Sequence, residues 1–82
     1  DMSAEILTDL PGTFYRSPGP GEPAYVQEGD AIAEGAVIGM VELMKQFNEV
    51  RSTVAGVIER FVVGDGEAVD ADTVLALVKV GS

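Results

Sequence analysis

Apolar positions in this chain fall in short runs of Val, Ile, Leu and Phe, punctuated by Gly12, Gly29, Gly35, Gly39, Gly56, Gly64, Gly66 and Gly81. Helical periodicity is poor throughout. Short β-branched runs bounded by turn residues are the mark of strands joined by tight turns. The pattern predicts strands at residues 4–8, 12–15, 31–32, 37–43, 47–51, 56–63, 68–69 and 74–80. Glu28-Gly29-Asp30 and Gly64-Asp65-Gly66-Glu67 supply turn residues that tolerate positive φ, and the Gly35 and Asp72 regions read as further turns. Strict alternation in 37–43 puts Val37, Val41 and Leu43 on one face and Ile38, Met40 and Glu42 on the other. In 74–80 the two faces are Val74, Ala76, Val78, Val80 and Leu75, Leu77, Lys79. Both long strands are apolar on both faces until near their C-terminal ends, so both need to be well covered.

The hydropathy pattern also repeats. Residues 26–42 (VQEGDAIAEGAVIGMVE) align without a gap on residues 63–79 (VGDGEAVDADTVLALVK) at an offset of 37, with Val26/Val63, Gly29/Gly66, Ala31/Ala68, Val37/Val74 and Val41/Val78 identical. Upstream, GTFYR at 12–16 aligns with GVIER at 56–60 at an offset of 44. The change of offset assigns seven extra residues to the first copy: Ser17, Pro18, Gly19, Pro20, Gly21, Glu22 and Pro23. Two copies are too few for a solenoid. They predict an all-β sandwich or flattened barrel in which each half covers the apolar face of the other. The insert holds three of the four prolines, which stiffen a loop towards extended conformations.

The junction of the copies is Met44-Lys45-Gln46, which puts Lys45 at or near the tip of a central hairpin. Its formal equivalent is Ser82, whereas Lys79 is equivalent to Glu42 and falls inside a strand end. A lysine in a hairpin is ordinarily just solvated. Here it is flanked by Leu43, Met44 and Phe47, apolar surface that serves no purpose facing water alone. The stretch also lacks the Asn-Gly or Gly that a tight hairpin favours.

Composition narrows the chemistry. The 82 residues form one domain, residues 1–82, of a size that buries roughly 60–65% of its unfolded surface. With no cysteine and no histidine there is no disulfide, no cysteine- or histidine-based catalysis, and little basis for a metal site. A formal net charge of −9 repels nucleic acid and anionic membranes, and suits basic surfaces on protein partners. No apolar run approaches membrane-spanning length, and the absence of cysteine fits a cytoplasmic location.

Glu42-Leu43-Met44-Lys45 followed by Asn48-Glu49-Val50 resembles the attachment motif of biotinyl domains, Glu-Ala-Met-Lys-Met-Met-Asn-Glu-Ile. Residues 11–18, PGTFYRSP, resemble the matching segment of biotin carboxyl carrier proteins of acetyl-CoA carboxylase. The resemblance covers roughly residues 6–80. It implies a flattened barrel of two four-stranded antiparallel sheets with pseudo-two-fold symmetry, and covalent biotin on Lys45. It also implies recognition by a biotin protein ligase through the flanks Glu42, Met44 and Gln46. Residues 17–23 would be a protruding thumb near the biotin. The domain itself would be non-catalytic, shuttling carboxyl groups between a biotin carboxylase and a carboxyltransferase. Leu43 and Gln46 depart from the family's usual Ala and Met. A free lysine amine, with a pKa near 10.4, is neutral in only about one molecule in a few thousand at pH 7. Activation of the nucleophile is therefore expected from the ligase. Two other readings remain: a lipoyl carrier domain, whose usual flank is Asp-Lys-Ala, and an unmodified barrel-sandwich module used for protein contacts.

Overall fold

The computed structural model describes residues 2–81, and among these all regular structure is β. Eight strands run in order: β1 (Met2–Leu7), β2 (Gly12–Tyr15), β3 (Ala31–Ile32), β4 (Val37–Leu43), β5 (Gln46–Arg51), β6 (Gly56–Phe61), β7 (Glu67–Val69) and β8 (Val74–Val80). They form two four-stranded antiparallel sheets, β1-β8-β6-β3 and β5-β4-β2-β7. The ladders stay within each sheet, so the molecule is a flattened sandwich, 39 × 26 × 19 Å, and not a closed barrel.

The internal repeat is real in three dimensions. Exchanging β1–β4 with β5–β8 converts one sheet order into the other. Hydrogen bonds recur at the same two offsets. The Gly29 N–H donates to the Ile58 carbonyl (2.7 Å) as the Gly66 N–H donates to that of Phe14 (2.6 Å). Buried Thr8 and Ser52 each accept through their hydroxyl from the residue two ahead (3.1 and 3.2 Å) and donate to its carbonyl (2.7 and 2.6 Å). Gly12 lies against the Glu42 carbonyl and Val41, while Gly56 lies against the Lys79 carbonyl and Val78. A Cβ at either glycine would collide with backbone, which explains why both copies open this strand with glycine. Ser82, the formal equivalent of Lys45, lies outside the described residues.

Each sheet takes two strands from each copy, so the halves interleave as each covers the other. One expectation needs correction. Strict alternation fails in β4. Ile38 and Val41, placed on opposite faces by parity, both sit in one core with Phe14, Ile58, Leu75 and Val78. The cause is a register irregularity between Val37 and Gly39 in the β4–β5 ladder. The second copy repeats the outcome, with Leu75, Ala76 and Val78 all buried. Burial of side chains such as Phe14, Ile6, Ile38 and Ile58, each worth about 1.5–3 kcal/mol, carries the fold in the absence of disulfides.

Candidate functional site

Strands β4 and β5 pair to their ends, with Leu43 opposite Gln46 as the last ladder pair. Only Met44 and Lys45 remain to make the turn, and both have positive φ, 53° and 66°. Two consecutive left-handed residues are what a type I′ hairpin requires. Neither is glycine or asparagine, so each costs roughly 1–3 kcal/mol that the rest of the hairpin must offset. Asn48 helps: its side-chain amide donates to the carbonyls of Val41 and Gln46, each at 3.4 Å. Such strain marks a position chosen for something other than turn stability.

The structure places Lys45 at the exposed tip. Among the described residues it makes no hydrogen bond or ion pair, leaving its amine uncommitted. Met44 beside it is 87% exposed and Phe47 is 59% exposed. Gln46 is exposed at the first position of β5 and belongs to the ladder rather than the turn. Glu42 is half-buried in β4, paired across to Phe47 on one side and Thr13 on the other, and its carboxylate accepts a long 3.4 Å bond from the Tyr15 hydroxyl.

The insert stands beside this hairpin. Its base is closed by the Tyr25 N–H donating to the Arg16 carbonyl (2.9 Å). A turn within it has the Glu22 N–H donating to the Gly19 carbonyl (3.1 Å), which also accepts from the Ser17 hydroxyl (3.0 Å). The Arg16 N–H donates to Asp65 Oδ1 (2.7 Å), and the Arg16 guanidinium covers the Phe61 ring at 4.1 Å. Between insert and sheet lies a groove of about 390 Å³. Ser17, Pro18, Gly19 and Pro20 form one wall, and Tyr15, Met40, Glu42 and Phe47 the other, with Asp65 also bordering it. Gly21, Glu22 and Pro23 do not line it. A second groove, of about 440 Å³, runs between Leu7–Leu10 of the β1 end and Asn48–Arg51 of β5, and holds none of the expected site residues.

The repeat located the insert and the hairpin separately and the family resemblance set one near the other; in the structure the two border one groove. Sequence reasoning missed Tyr15, Met40 and Asp65 as site residues. For Tyr15 a usable signal was present, since several groove positions are those where aligned copies change chemistry: Tyr15 against Glu59, Phe47 against Ser3, Glu42 against Lys79; Met40 and Asp65 carried none.

An exposed amine at a strained tip, with a groove at the lower end of the roughly 300–1,000 Å³ usual for small-molecule sites, fits a small heterocycle carried on an arm from Lys45. Comparison with known proteins gives the family. The model of a family described as "Biotin-requiring enzyme" (Biotin_lipoyl) matches residues 4–78. The chain is 42% identical over 73 residues to the biotin carboxyl carrier protein of acetyl-CoA carboxylase 2, chloroplastic, of Arabidopsis thaliana, covering 89% of this chain and 29% of that protein. It is 38% identical over 76 residues to the biotin carboxyl carrier protein of acetyl-CoA carboxylase of Nostoc sp., covering 93% and 42%. This chain thus spans well under half the length of these relatives. Among solved structures, Kluyveromyces lactis urea carboxylase superposes with a TM-score of 0.80 at 20% identity, covering 96% of this chain and 6% of that one. A single-chain, multi-domain long-chain acyl-CoA carboxylase gives 0.72 at 22% identity, covering 95% and 7%. At such identities these two show the fold.

Proposed function

We propose that this chain, which belongs to the family of biotin-requiring enzymes, is a biotin carboxyl carrier domain of an acetyl-CoA or acyl-CoA carboxylase, with biotin joined as an amide to Lys45 Nζ. The observation that carries the reading is the Met44-Lys45 turn. Two non-glycine residues are held at positive φ so that an uncommitted amine projects from the end of a rigid sandwich. When bound, biotin supplies a ureido nitrogen that can take up and release a carboxyl group. The chain's own residues perform no catalysis. They hold the attachment point rigidly, and the tether keeps the carried group at high effective concentration for two distant sites.

The partners that follow are a biotin carboxylase and a carboxyltransferase, as further domains or subunits, and a biotin protein ligase. Met44, Gln46 and Glu42 are the flanks offered to the ligase: an exposed thioether, an exposed amide and a half-buried carboxylate. The insert at residues 17–23 acts as a thumb beside the carried group, supported by the groove that its first four residues share with the hairpin. Among the described residues no helix is long and apolar enough to cross a membrane. A cytoplasmic location is part of the proposal, although the Arabidopsis relative is named chloroplastic.

Intact mass separates this function from the lipoyl alternative. Incubation with a biotin protein ligase, ATP and biotin is expected to add one biotin, and incubation with a lipoate ligase to add nothing. Addition of lipoate alone would favour the lipoyl carrier. Addition of neither, by enzymes that label control domains, would leave only the unmodified interaction module.

A further inference from the structure

The groove between insert and hairpin has an unusual charge pattern. Its walls are largely apolar, from Tyr15, Met40, Phe47, Pro18 and Pro20, and its two charged groups are both carboxylates, Glu42 and Asp65. Among the described residues no lysine or arginine lines it. The nearest cation along the hairpin is Lys45 itself, and forming an amide on its Nζ removes that charge. The closest arginine in sequence, Arg16, donates its backbone N–H to Asp65 but turns its guanidinium onto the Phe61 ring. Modification therefore leaves an apolar cleft bordered by two like charges, with no basic side chain in its lining.

We propose that this groove is a charge-selective dock for the head of the arm on Lys45: it holds a neutral group with N–H donors and turns away one that carries a carboxylate, with Glu42 and Asp65 setting the sign. This rests on reading Lys45 as the attachment point. A neutral cyclic urea can lay its ring on Phe47 and Met40 and donate N–H bonds to the carboxylates. Replacing a ureido N–H by a carboxylate-bearing substituent removes a donor and adds a negative charge to a groove already bordered by two. A carrier that shuttles carboxyl groups gains direction from such a dock. The arm is sheltered when empty and released into solution, available to a partner's site, when loaded.

The absence of cysteine makes the test clean, because a Lys45→Cys variant of this chain offers a single thiol. Two arms of equal length are attached by alkylation, both ending in a bicyclic urea, one neutral and one bearing an N-carboxymethyl group. The docked fraction is read by NMR, from contacts between arm and the Tyr15 and Phe47 rings and from the Gly19 amide shift. At low salt the neutral arm is expected to dock about fivefold more favourably, a ratio that shrinks as salt screens the carboxylates. In the K45C background, E42Q with D65N should bring the ratio within about twofold. Both amides keep an oxygen to accept the Tyr15 hydroxyl and the Arg16 N–H, so the fold and the groove are preserved. Equal docking of the two arms, docking of neither, or a preference that survives both amide substitutions would overturn the proposal. Alkylation bypasses the ligase, so failure here leaves ligase labelling of Lys45 standing, and failure of labelling is read separately by mass.

Discussion

The two outer sheet faces of this molecule are built on one backbone plan and carry different side chains. On the β5-β4-β2 side, one cross-strand row is Phe47–Glu42–Thr13 and the next is Glu49–Met40–Tyr15. The equivalent rows on the β1-β8-β6 side are Ser3–Lys79–Val57 and Glu5–Leu77–Arg60. Residues in such a row share a face and interact. The first face offers an aromatic and thioether surface with a groove, whereas on the second the Ser3 hydroxyl donates to Glu59 at 2.6 Å. A register irregularity between Ile58 and Arg60 further shifts β6, so Arg60 stands opposite Leu77 where Tyr15 stands opposite Met40. Duplication thus supplies the scaffold twice. The two copies then differ by three local features: the proline-rich insert, the left-handed Met44-Lys45 turn, and aromatic Tyr15 and Phe47 where the other copy has Glu59 and Ser3.

This contrast can be broken at the level of the core, where the halves should behave alike. Phe14 and Ile58 are equivalent and almost fully buried, at 0% and 1% exposure. Truncating either to alanine is expected to cost about 3–5 and 2–5 kcal/mol respectively, measured by urea unfolding, with loss of a single cooperative transition in neither. If only one half were destabilised, the shared-scaffold account would fail.

It can be sharpened at the turn. Met44→Asn with Lys45→Gly installs the sequence that a type I′ hairpin prefers. Stability should rise by about 1–3 kcal/mol, or several degrees in Tm for a domain of this size, while the acceptor is lost. An unchanged or lowered Tm would show that the turn carries no strain.

Much of this was legible in the sequence. The glycine-punctuated apolar runs located all eight strands, and the two offsets located the insert and the junction with Lys45. The boundary errors have local causes. β1 begins at Met2 because Met2 pairs with Val80, and β5 begins at Gln46 because a two-residue turn lets it pair with Leu43. β6 stops at Phe61, although the Val62 N–H still donates to the Leu75 carbonyl at 2.8 Å. Bulges were invisible, since one extra residue leaves composition unchanged but reverses which side chains face inward, as with Ile38 and Val41. The copy-to-copy differences mark some groove positions, but not that they meet, for a related reason. Tyr15, Met40 and Asp65 are far apart in the chain and meet only through the β2–β4 register and the Arg16–Asp65 contact.

The central claim is that one lysine of this near-symmetric pair of halves is an attachment point and the other, Lys79, is part of a sheet face. Peptide mapping by tandem mass spectrometry after labelling with a biotin protein ligase tests it directly. All biotin should be found on Lys45, with uptake abolished by Lys45→Arg and unchanged by Lys79→Arg. Biotin on Lys79, or uptake that persists in Lys45→Arg, would contradict the account.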